Sequence, residues 1–225
     1  MEQKMTASSF TYALILALIF IPFFVDTYAA DTLRKFVDHD LSHGLLMGLI
    51  LTCLIIFFLI FGVIKKQSLQ WASLGLKKMH TSQWLFVFKW TLINIFLGIL
   101  YVVLLELTGI GSSNTKTESL QNEGIMMFVL AFLSAAVLSP IYEELFYRGF
   151  IYTWLRQRLT LYPSLIISAA IFTLVHIPTY NTLPINFISG IIFAWVYERT
   201  GSIISSMIVH ASFNGLAVIL TFLLG

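Results

Sequence analysis

Seven apolar runs dominate the sequence, approximately Phe10 to Tyr28, Leu45 to Ile64, Trp84 to Leu107, Ile125 to Ile141 and beyond, Tyr162 to Ile177, Leu183 to Tyr197 and Ile203 to Leu224. A helix rises about 1.5 Å per residue and the hydrocarbon layer of a bilayer is about 30 Å thick, so a spanning helix needs about 20 mainly apolar residues. The fifth and sixth runs are short for this, and the others approach or reach it. With 58% hydrophobic and 11% charged residues there are too few polar side chains to cover a water-facing surface. A soluble fold is therefore excluded. Lipid admits only backbones whose polar groups are satisfied internally, and no alternating ten-residue strand pattern occurs, so helices rather than a barrel are expected. The expected fold is an all-α, polytopic transmembrane helix bundle of about seven spans.

Charge reports orientation. The connection from Lys65 to Gln83 carries Lys65, Lys66, Lys77 and Lys78, which makes it cytoplasmic under the positive-inside rule. Strict alternation then puts Lys4, those four lysines, Arg156, Arg158 and Arg199 inside, against Arg34, Lys35 and Lys116 outside. The N-terminus is expected in the cytoplasm. Lys89 enters the third span at its inner end, where its side chain reaches back to the headgroups. A net charge of +2 without a dense basic tract excludes nucleic acid as a partner and leaves the lipid bilayer. The lone cysteine, Cys53, provides neither an intrachain disulfide nor a thiolate cluster. Lys4 before the first run and Ala29 and Ala30 after it keep a cleaved signal peptide as a competing reading, although the run is long for one. Without repeats or low-complexity tracts, residues 1–225 read as a single membrane domain. Within it, 1–123 hold spans without a recognisable motif, and 124–225 form the candidate catalytic core.

Ionisable groups inside spans cost roughly 2.5 to 3.5 kcal/mol each, so each needs a reason. Glu143, Glu144 and Arg148 lie in one apolar stretch, His176 ends another, and His210 and Asn214 share a third. Residues four apart share a helix face, so Glu144 and Arg148 can pair while Glu143 points elsewhere. His210 and Asn214 also share a face. A carboxylate and an imidazole around a buried water make a hydrolytic arrangement. The plainer readings stand beside it: a structural Glu144–Arg148 ion pair, a proton-relay carboxylate at Glu143, histidines that join helices, and Phe172 as packing.

These residues resemble the CAAX-protease and bacteriocin-processing family of intramembrane peptidases, also called the Abi family. Its pattern of Glu-Glu-x-x-x-Arg, Phe-x-x-x-His and His-x-x-x-Asn on successive helices is met in order by Glu143, Glu144 and Arg148, by Phe172 and His176, and by His210 and Asn214. Arg148-Gly149 and Thr200-Gly201-Ser202 also look family-like, and the resemblance covers about Ala131 to Gly215. It implies an α-helical endopeptidase acting on a peptide or protein substrate at the membrane. Glu143 is implied as the base that activates water with His176, Glu144 and Arg148 as its orienting pair, and His210 and Asn214 as donors to the oxyanion. The resemblance permits two mechanisms. One needs no cofactor and is favoured by the positive charge of Arg148; in the other, Glu143, His176 and His210 hold a zinc ion. A non-catalytic scaffold or bacteriocin-immunity partner and a proton-coupled transporter are the alternative functions. The length suggests a bacterial plasma-membrane protein. One inconsistency remains: on these span limits Glu143 lies near the inner end of its helix and His176 near the outer end of the next, unless the fourth helix continues past Pro140 through Trp154.

Overall fold

A computed structural model describes residues 5–37, 40–111, 120 and 124–224, with the side chains of residues 26, 40 and 41 excepted. Among the described residues there is no strand, and seven apolar helices account for the apolar runs. They are α1 (Ala7–Arg34), α2 (Ser42–Lys65), α3 (Trp84–Thr108), α4 (Ile125–Arg156), α5 (Leu161–Leu174), α6 (Leu183–Thr200) and α7 (Ile203–Leu224). Of these, α1, α2, α3, α4 and α7 are long and apolar enough to cross a membrane. The protein is an integral membrane protein. Helix ends follow local chemistry: Thr6 Oγ1 accepts from the Ser9 amide to start α1, and Gly109 ends α3 at a φ of 74°. The chain remains helical through Ala29 and Ala30.

Pro140 does not break α4. The helix continues to Arg156, with wide, π-type turns over Leu133–Leu138 and Glu144–Tyr152 on either side of the proline. Proline removes one N–H and crowds the preceding turn, and membrane helices accommodate this by such local rewinding. The continuation resolves the depth inconsistency. Glu143 stands about 13 residues, or about 20 Å, from Arg156 at the C-terminal end of α4, and His176 about 22 Å from Leu161 at the N-terminal end of the antiparallel α5. The two residues are therefore level.

Helices α5 and α6 form a close antiparallel pair, α7 packs against α3, α4 and α6, and α2 lies along the N-terminal half of α4. At Gly190 on α6 an added Cβ would stand 3.1 Å from the Ala169 Cβ on α5. Small residues permit this approach where helices meet in lipid. Large apolar side chains on α1 and α3, among them Phe23, Phe24, Leu85 and Phe96, are exposed and face the acyl chains.

Candidate active site

Helix α4 contributes the charged centre. Glu144 and Arg148, four apart on one face, form an ion pair of 2.8 Å with neither side chain exposed. Burying two charges is tolerable only when neighbouring groups offset the lost hydration, and here neighbouring helices supply partners for part of the pair, while Arg148 Nε and Glu144 Oε2 make no hydrogen bond among the described residues. Arg148 Nη2 donates to the Gly190 carbonyl at 3.2 Å, and its guanidinium lies over the rings of Phe172 and Phe193 at 4.3 and 5.0 Å. Phe172 is thus a packing surface for Arg148. Glu144 Oε1 also meets His210 Nδ1 at 2.8 Å. A carboxylate beside Arg148 only accepts, so Nδ1 carries the hydrogen and Nε2 of the neutral ring presents a lone pair.

Glu143 points away from that pair, as the helix geometry predicts. Ser139 Oγ, one turn back, donates to its Oε1. Its buried Oε2 has no hydrogen-bond partner among the described residues and lies 3.9 Å from His210 Nε2. That distance is too long for a direct hydrogen bond and suits one bridging water. The His210 ring is held in place by stacking on Phe193, with centroids 4.5 Å apart and planes at 19°.

A cavity of about 590 Å³ opens above these groups, and Glu143, His176, His210 and Asn214 all line it. His176 Nδ1 donates to the Phe172 carbonyl at 2.7 Å, which directs its tautomer as Glu144 directs that of His210. Asn214 Nδ2 donates one hydrogen to the Ala135 carbonyl at 2.9 Å and has a second to give. All six predicted site residues therefore meet at one place: Glu143, His176, His210 and Asn214 at the cavity, Glu144 and Arg148 directly behind it. Among the described residues no three His, Cys, Asp or Glu side chains converge so as to hold a metal ion. The zinc set of Glu143, His176 and His210 is not assembled in this arrangement.

Sequence reasoning missed several contributors. Ser139 was detectable, since it stands four residues before Glu143 on the same face. Phe193 and the Gly190 carbonyl come from α6, which carries no motif, and one phenylalanine among 20 carries no signal. His43 of α2 also lines the cavity, with Nε2 3.1 Å from the Ala30 carbonyl. Ser189 lines it too and donates to Asn94 Oδ1 of α3 at 2.9 Å.

Residues 125–216 match the family model described as "Type II CAAX prenyl endopeptidase Rce1-like". The chain is also similar to the "Putative membrane peptidase YdiL" of Bacillus subtilis (strain 168), at 25% identity over 173 residues, covering 76% of this chain and 68% of that protein. No solved structure matches the chain.

Proposed function

We propose that the chain, which is similar to the CAAX protease family over residues 125–216, is an intramembrane endopeptidase of a bacterial plasma membrane, hydrolysing a membrane-associated or secreted peptide or protein with water activated by Glu143. The observation that carries the reading is the buried, unpartnered Glu143 Oε2 facing His210 Nε2 at 3.9 Å at the base of the cavity. A water there gives one hydrogen to each of these acceptors and turns its own lone pair toward a substrate carbonyl. As its oxygen bonds the carbonyl carbon, Glu143 takes a proton and later delivers it to the departing amine, so the net charge of the site is unchanged through the step. The Asn214 Nδ2 hydrogen not used by Ala135 is the donor for the oxyanion.

His210 differs here from the role implied by family resemblance. Its Nδ1 hydrogen is committed to Glu144, so the neutral ring accepts at Nε2 and holds the water; it donates to an oxyanion only as imidazolium. His176, fixed by the Phe172 carbonyl, presents its own Nε2 as a second holder of water. Glu144 and Arg148 are positioning residues acting through His210. No cofactor takes part in this scheme. The test is cleavage of a peptide library by the purified chain against Glu143→Gln, which keeps the shape and the Ser139 contact but cannot take the proton. A fall of about 100- to 10,000-fold with an unchanged melting temperature is expected. A wild-type chain that cleaves nothing would return the protein to the scaffold class.

A further inference from the structure

The cavity and the packing around it lie on opposite sides of Glu143. Its walls come from the halves of the helices remote from the 65–83 connection: Gly48 on α2, Ala135 on α4, Thr182 and Asn186 at the start of α6, Ala217 and Thr221 on α7. On the other side α4 is solid. Phe146, Phe150 and Ile151 are fully buried, with Phe58 of α2 packed edge-on against the first two rings at 6.1 and 6.0 Å.

The 65–83 connection completes that side. Leu74, with no exposed surface, is wedged under α4, and its carbonyl stands 2.8 Å from where a Cβ on Gly149 would be. The Ile203 amide donates to the Gly75 carbonyl at 3.0 Å, Ser202 Oγ to the Lys77 carbonyl at 2.5 Å, and Gln83 Nε2 to the Thr200 carbonyl at 3.1 Å. Gly149 and Thr200-Gly201-Ser202, singled out in the sequence without a chemical role, are thus the seat of this loop. The same loop carries Lys65, Lys66, Lys77 and Lys78, the charges that mark the cytoplasmic side.

From the one-sided cavity and the sealed basic face we infer that the site takes its substrate from the extracytoplasmic side, so that the substrate class is a peptide segment presented at the outer face of the membrane and not a cytoplasmic C-terminus. The inference rests on the peptidase reading for its substrate and on geometry alone for its side. A peptide backbone needs a polar path to Glu143, because its amides cannot be left unsatisfied in apolar packing. The outer cavity offers Thr182, Asn186, Asn214 and Thr221 along such a path. On the inner side the polar side chains, among them Ser168, Tyr152, Glu198, Ser205 and Ser206, are already hydrogen-bonded within the packing, between closely packed rings and aliphatic groups.

Accessibility decides the side without any need for cleavage. On a Cys53→Ser background, Ala135→Cys and, nearer the rim, Thr182→Cys are exposed to a small membrane-impermeant methanethiosulfonate in intact cells and in inverted membrane vesicles, with total thiol counted after denaturation. Modification in intact cells, and its loss in inverted vesicles, is expected at both positions; if one variant does not accumulate, the other gives the answer. Modification from the inner side, or protection from both sides, overturns the inference. A chain labelled from outside that cleaves no peptide refutes the peptidase reading and leaves the assigned side standing.

Discussion

Removing Arg148 should unfold the site from its centre. In the native protein its guanidinium is 2.8 Å from Glu144 with both groups fully buried, and it also holds the Gly190 carbonyl and the faces of Phe172 and Phe193. Arg148→Ala leaves the Glu144 carboxylate charged in a buried interior with only the neutral donors His210 and Ser206 beside it. Breaking one side of a buried pair costs about 3 to 5 kcal/mol, and the losses at Gly190 and the rings fall within the same event instead of adding to it. For a chain of this size about 4 kcal/mol lowers the melting temperature by roughly 10 °C. Cleavage should fall with it, since Glu144 no longer fixes His210. The informative control is Glu144→Gln/Arg148→Met, which removes both charges and should recover most of the stability. It should nevertheless stay slow, because a neutral amide holds the His210 Nδ1 hydrogen about half as strongly as a carboxylate does. Thermal unfolding in detergent, read beside peptide cleavage, checks all three chains. Wild-type stability in Arg148→Ala, or a double variant as unstable as the single one, would refute the reasoning.

Prolonged treatment with a strong chelator should leave cleavage unchanged; loss that zinc restores, together with about one zinc per chain on metal analysis, would overturn the cofactor-free scheme. Gly149→Ala should cost about 1 to 3 kcal/mol on thermal unfolding, since its Cβ meets the Leu74 carbonyl at 2.8 Å and backbone has to move. Ser139→Ala should slow cleavage roughly tenfold with the fold intact, because a hydroxyl that orients the base is lost. Ser82→Cys on the Cys53→Ser background, in the basic connection, should resist an impermeant maleimide in whole cells until the membrane is opened.

The elements of this protein, and which residues within one helix can meet, are written locally. Runs of apolar residues set seven helices with nearly the predicted limits, and a spacing of four dictated both the Glu144–Arg148 pair and the divergence of Glu143 from it. The family motifs named the site for the same reason, each being a short pattern on one helix. Tertiary structure decided the rest. It set the depth of Glu143 by carrying α4 through Pro140, joined His210 to Glu144 across 66 positions of sequence, brought Phe193 and the Gly190 carbonyl from a helix without a motif, and drove Leu74 under Gly149. In water an amphipathic stripe would have announced which helix faces turn inward. In lipid the outward face is as apolar as the core, so periodicity is silent, and the meeting of faces is settled by close packing of small residues and by the few polar groups that must find one another.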